Sequence, residues 1–163
     1  MQMSYKSTIL TTVLIFLLLL LQGCAGSKKA RRLRAQRVEQ VISTARSYTG
    51  TPYKWGGTNR AGMDCSALLL LSYRSIGLEL PRTSKEQSEM GEKVKTKKLQ
   101  PGDIVFFAMG KKKRKVTHAG IITVVNSAED IRFIHASTSR GVIEANLLQD
   151  YYISRLRGAR RIL

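Results

Sequence analysis

The stretch THAGIITVVNSAEDIRFIH, Thr117 to His135, decides the fold class. From His118 to Val125 the pattern is that of a strand in which His118, Gly120, Ile122 and Val124 share one face. Ile131, Phe133 and His135 share a face of a second strand, because side chains alternate along an extended chain. Asn126 to Asp130 supplies turn residues between them, so the two strands form an antiparallel hairpin. Working outward, Asp103 to Phe107 reads as another strand, Lys111 to Lys115 as a solvated turn, and Arg155 to Ile162 as a closing edge strand. The first half reads differently. Val38, Val41, Ile42 and Ala45 follow the helical spacing i, i+3, i+4, i+7, and Gly50 and Pro52 end that helix. A second helix begins at Cys65 with Asp64 as its N-cap, carries the buried run Ala67 to Leu71, and stops at Gly77. Thr83 or Ser84 caps a short third helix running through Met90. Helices first and an antiparallel sheet second is the α+β class.

The chemistry is concentrated in few residues. The chain has two cysteines, at 24 and 65, and two histidines, at 118 and 135. Asp64 as cap puts Cys65 in the first helical turn, where unpaired N–H groups and the helix dipole favour a thiolate. A thiol beside an imidazole is the nucleophile and base of acyl transfer, and a second imidazole can orient the first. The pattern therefore points to a cysteine peptidase with Cys65, His118 and His135 as its catalytic set. The hairpin register does not by itself bring the histidines together. A five-residue turn pairing Val125 with Ile131 leaves His118 and His135 three residues out of register, so a bulge, a tighter turn or diagonal packing has to close the gap. At this level an inert buried thiol and structural strand histidines stay open as alternatives.

A family resemblance narrows them. Pro52-Tyr53-Lys54-Trp55-Gly56-Gly57, Asp64-Cys65-Ser66, Leu80-Pro81-Arg82-Thr83-Ser84 with Gln87, Pro101-Gly102-Asp103, His118-Ala119-Gly120-Ile121 and Ile134-His135-Ala136 resemble, in collinear order, the NlpC-type cell-wall peptidases. The resemblance implies a papain-like fold over residues 37–163, with Cys65 as nucleophile, His118 as base and His135 as the group orienting it. It also implies that Tyr53 helps position substrate or stabilise the oxyanion, with the helix start at Ser66 adding N–H donors. Trp55 is open between a loop-shaping and a core role, and Arg82, Ser84 and Asp103 are expected to be structural. The implied reaction is hydrolysis of an amide in peptidoglycan stem peptides, foremost the bond from D-glutamate to the diamino residue, without cofactor or metal. The crosslink from D-alanine to the diamino residue is the alternative. Two further classes compete: a zinc protein using Cys65, His118 and His135, and a wall-binding lipoprotein without turnover.

Cys24 has a different explanation. Lys6 precedes the apolar run Val13 to Leu21, which ends at Leu21-Gln22-Gly23-Cys24. That run is short for a bilayer span of about 20 residues. The pattern resembles a lipoprotein signal over residues 1–23 with lipidation at Cys24, an uncleaved anchor and an ordinary signal being the alternatives. Residues 24–36 read as a basic tether carrying Lys28, Lys29, Arg31, Arg32 and Arg34. Ala25, rather than an acidic residue, favours the outer membrane, with the domain facing the periplasm. The net charge of +17 would suggest nucleic acid in a cytoplasmic protein. Outside the cytoplasm it instead favours phospholipid headgroups and wall carboxylates, so no nucleic-acid partner is expected, and the domain is expected to be monomeric.

Overall fold

In the computed structural model the backbone is described for residues 3–110 and 115–163. The side chains of residues 1–8 and 10–25 lie outside that description, and with them the signal segment and the Cys24 thiol; so do Lys111 to Arg114 of the expected turn. The chain divides into two units, Met1–Gln36 and Arg37–Leu163. The backbone of the segment read as a tether is helical, within α1 (Met3–Ser47).

The second unit holds everything that builds the site. The last turns of α1 present Val38, Val41, Ile42 and Ala45, all buried, as their spacing requires. A two-strand ribbon follows, β1 (Thr58–Asn59) and β2 (Gly62–Met63), and then α2 (Cys65–Arg74). Gly77, at φ 76°, ends α2, and the Leu78 N–H folds back onto the Tyr73 carbonyl. Helix α3 (Ser84–Gln87) is capped by Thr83 in a reciprocal box with Glu86, and it closes three residues before the expected Met90.

The sheet comprises β3 (Glu92–Val94), β4 (Ile104–Phe107), β5 (His118–Val125), β6 (Ile131–Ser137), β7 (Gly141–Asn146) and β8 (Leu156–Arg161). Between them lie a 3-10 turn, Thr96–Lys98, and the short helix α4 (Asp150–Ile153). Every pairing is antiparallel, and the strand order is β3-β8-β4-β5-β6-β7. One expectation is corrected. The last strand is not the edge: β8 sits between β4 and the three-residue β3. Strand β7 has no clear signal in the sequence, since Gly141 and Asn146 look like turn formers and adjacent Val142 and Ile143 break the alternation. Alternation sorts the core onto the two sheet faces. Ile104, Phe106, Ala119, Ile121 and Ile134 pack with α2 and the end of α1. Val105, Phe107, Ile122, Phe133, Leu147 and Tyr152 pack on the other side.

The register of β5 on β6 resolves the histidine problem. Val125 pairs with Ile131 and Val124 with Arg132, as the five-residue turn demands. A bulge between Ile122 and Val124 then shifts the ladder by one, giving Ile122 opposite Phe133 and Ile121 opposite Ile134. Continued one step, this register sets Gly120 across from His135, so His118 is its diagonal neighbour on the same face. Gly120 makes the diagonal possible. A Cβ there would lie 2.6 Å from a Phe133 ring carbon and 3.2 Å from the His135 Cβ.

Candidate active site

Asp64 organises the start of α2. Its Oδ1 accepts from the Ala67 N–H at 2.8 Å, the Ser66 hydroxyl at 2.9 Å and the Arg82 guanidinium at 3.0 Å. Its Oδ2 accepts from the Gly56 N–H at 3.0 Å and the second Arg82 nitrogen at 2.8 Å. Burial pushes the Asp64 carboxyl up, but the bonds from Arg82, Ala67 and Ser66 outweigh it and hold the carboxyl below its ordinary value. Arg82 also donates to the Ser66 hydroxyl at 2.8 Å, and Gln87 donates to the Ser66 carbonyl at 3.1 Å. The Ser66 side chain is thus committed to holding the turn, which leaves its backbone N–H as the group it can offer a substrate. Arg82, expected to be structural, ties the third helix to the cap that places Cys65.

Cys65 is the first residue of α2 and 6 % exposed. The helix start was expected to lower its pKa. Burial dominates instead and pushes the thiol up to about 11, against the opposing pull of the Ala119 and Ser66 amides. His118 and His135 are also buried, 8 % and 3 % exposed. Burial drives the His118 pKa down to about 4 and, with the charges of His118 and Arg140, that of His135 down to about 3. Burial thus opposes the charged form of all three groups, against the thiolate that the helix start favours.

The two imidazoles meet: His118 Nε2 lies 2.7 Å from His135 Nδ1. His135 Nε2 in turn lies 3.2 Å from the Tyr152 hydroxyl. The rings are fixed by aromatic packing. Phe133 stacks on His135 at 4.8 Å, Tyr152 meets His135 edge-on at 5.4 Å, and Phe107 lies 6.0 Å from His118. One set of tautomers suits a base. If His118 Nδ1 is to accept a proton, Nε2 carries its hydrogen and donates to His135 Nδ1, and His135 Nε2 then donates to Tyr152. Tyr152 had no motif in the sequence to single it out; only the fold brings it to His135. A shared metal fits this geometry poorly. Two nitrogens bound to one tetrahedral zinc stand roughly 3.3 Å apart, from bond lengths of about 2.0–2.1 Å. Among the described residues no three His, Cys, Asp or Glu side chains cluster as ligands.

Two cavities open on this constellation. One, about 520 Å³, is lined by Cys65 with Tyr53, Asp64, Arg82, Lys85 and Thr117. The other, about 470 Å³, is lined by His118 and His135 with Ser137, Arg140, Tyr151 and Tyr152. They share no lining residue and adjoin at the step from Thr117 to His118. Tyr53 lies beside Cys65, its phenol pKa raised by burial and by the neighbouring Cys65 and Asp64. Trp55 is not core: it is 82 % exposed at the rim of the first cavity.

Residues 50–161 match the model of the NlpC/P60 family. This chain belongs to the NlpC/P60 family. It is accordingly a hydrolase of the cysteine-peptidase type, and the papain-like α+β fold is that of its structural neighbours. It is 37 % identical over 151 residues to "Probable endopeptidase NlpC" of Escherichia coli strain K12, covering 88 % of this chain and 94 % of that one. It is 38 % identical over 125 residues to the Escherichia coli "Murein DD-endopeptidase MepS/Murein LD-carboxypeptidase", covering 76 % of this chain and 62 % of the relative's length. An NlpC/P60 family protein from Bacillus cereus superposes with a TM-score of 0.68 at 34 % identity, over 77 % of this chain and 40 % of that one.

Proposed function

We propose that this protein is a peptidoglycan endopeptidase that cuts an amide in the stem peptides through Cys65, His118 and His135. The observation that carries the reading is the 2.7 Å contact of His118 Nε2 with His135 Nδ1, which leaves His118 Nδ1 to serve the thiol at the start of α2. As a scissile carbonyl arrives, Cys65 Sγ attacks its carbon and the thiol proton passes to His118 Nδ1. Forming thiolate and imidazolium together avoids burying either charge alone. In this reading the backbone N–H groups of Cys65 and Ser66 and the Tyr53 phenol donate to the oxyanion. His118 then protonates the leaving amine, and water hydrolyses the thioester.

The bond proposed is that between D-glutamate and the diamino residue. The crosslink between D-alanine and a neighbouring diamino residue is the second reading, favoured by the name of the murein DD-endopeptidase relative. Cys24 is proposed as a lipid anchor and Lys28 to Arg34 as a basic segment at an anionic membrane surface, with the domain in the periplasm acting as a monomer. Cys24→Ser should then leave an unprocessed precursor. The test of function is mass spectrometry of purified wall fragments after incubation, which reports turnover and the bond cut together. Cys65→Ala should abolish hydrolysis while circular dichroism stays unchanged. Full activity in that variant would overturn the reading.

A further inference from the structure

A third recess leads away from the cavity that holds Cys65 and runs along β8. It has a volume of about 340 Å³, and Val116 lines both, so the two adjoin there. Its floor is the buried Phe106 and the backbone of Gly158, which stand opposite one another in the β4–β8 register. A Cβ at Gly158 would meet nothing within 4 Å, so the β8 backbone is open to an occupant at that point.

The rim of this groove is basic. Lys93, Arg157 and Arg160 line it, and no acidic side chain does. Lys85 and Lys115 continue the same sign along the first cavity, where Asp64 already neutralises Arg82. β3 pairs with β8 so that Lys93 stands directly across from Arg160. Like charges in that position destabilise a strand pair. Arg160 is held by carbonyls, its Nε donating to Ser88 at 2.7 Å and its Nη1 to Gly91 at 3.3 Å. Carbonyls fix a guanidinium without cancelling its charge. Among the described residues no carboxylate lies within ion-pair distance of Lys93 or Arg160.

An ammonium and a guanidinium side by side hold carboxylates through charge-assisted bonds. A bilayer is flat and meets protruding basic groups, whereas these charges rim a recess floored by a buried ring and a bare strand. Continuity at Val116 makes the occupant part of the same molecule that lies at Cys65.

We propose that the Lys93–Arg160 groove is an exosite for intact wall, taking the free carboxylates of a second, uncut stem while the first lies at Cys65. The proposal rests on the peptidase reading above and adds to it a contact remote from the scissile bond. A single soluble stem fills the catalytic cavity without reaching the groove, so the exosite acts on polymer alone.

The test uses the full chain in detergent as wild type, Lys93→Glu and Gly158→Leu. The leucine fills the groove without altering a charge, at a position with open space and no positive φ. kcat and KM are measured on intact wall and on soluble single-stem fragments, and sedimentation with wall reads binding independently of turnover. Both variants should raise KM on intact wall by roughly threefold to tenfold, the range for exposed charge contacts, and leave kcat/KM on fragments unchanged. Amidating the free carboxylates of the wall should bring wild type and Lys93→Glu to the same KM, and added salt should narrow the gap between them. Equal losses on wall and fragments would mean a disturbance carried through Val116 to the catalytic cavity, and they overturn the exosite. So does an unchanged KM on wall in either variant, or a gap that survives amidation. Loss of binding to phosphatidylglycerol vesicles with wall binding intact would overturn it in favour of a membrane contact. If the wild type cuts neither substrate, the peptidase reading falls instead, and sedimentation of the three proteins with wall still decides whether the groove holds it.

Discussion

Tyr152→Phe removes one oxygen from the site and leaves its packing in place. The ring stays edge-on to His135 and Phe133, and the position is 3 % exposed, so the phenyl group keeps its volume and burial. What is lost is the partner of His135 Nε2, at 3.2 Å. That separation is at the long end of the range for a hydrogen bond to nitrogen, and the adjoining cavity can admit water as a partial substitute. Leaving a buried donor unsatisfied costs about 1–3 kcal/mol, and both features point to the lower half, about 1–2 kcal/mol. In the proposed mechanism His135 accepts from His118 most strongly when His118 carries the proton taken from Cys65, so the loss falls on the reaction step. At about 1.4 kcal/mol per factor of ten, kcat should drop roughly 5- to 30-fold. The assay is turnover on soluble stem fragments over a pH range that extends below the His118 pKa of about 4, with a melting curve on the same samples. Weaker support of the His118 cation lowers its pKa further and should also move the acid limb of the profile to lower pH. A kcat within twofold of wild type, an unmoved acid limb and a lower melting temperature would show that Tyr152 only packs.

Three further outcomes are expected. His135→Ala should lower turnover strongly with a small change in melting, and His135→Asn or Gln should recover part of it, since an amide oxygen can still accept from His118 Nε2; kcat and Tm on the three variants check this. Arg82→Lys should lose the fork that spans both Asp64 oxygens; because Arg82 is 39 % exposed on its side chain, denaturant unfolding should register about 1–2 kcal/mol rather than the 3–5 of a fully buried pair, together with lower kcat. Stability should also depend on pH. The folded histidines titrate near 4 and 3 rather than 6.5, so between those values the unfolded chain binds more protons; their contribution is complete above about pH 6.5 and is lost as pH falls towards 4, a decline of a few kcal/mol by pH 5 that His118→Gln/His135→Gln should largely abolish in urea titrations.

The sequence by itself determined the layers and the place of Cys65 at a helix start. Helical spacing at Val38, Val41, Ile42 and Ala45, the cap at Asp64 and the alternation on either side of Asn126–Asp130 are local signals, and each depends only on neighbours along the chain. The same holds for the cysteine at a helix start, since Asp64 and Cys65 are consecutive. Tertiary structure decided what depends on distant partners. The bulge after Ile122 and the missing side chain at Gly120 turned a register three residues out of step into a direct His118–His135 contact. β7, a poor strand by its own residues, exists because β6 offers it a ladder, and β8 is interior because β3 pairs with its outer side. The reach of Arg82 back to Asp64 and the arrival of Tyr152 at His135 span 18 and 17 residues, separations at which no periodic pattern reports a contact. Burial made the last decision. It reversed the expected direction of the Cys65 pKa shift, because taking a thiolate out of water costs more than the amides around it return.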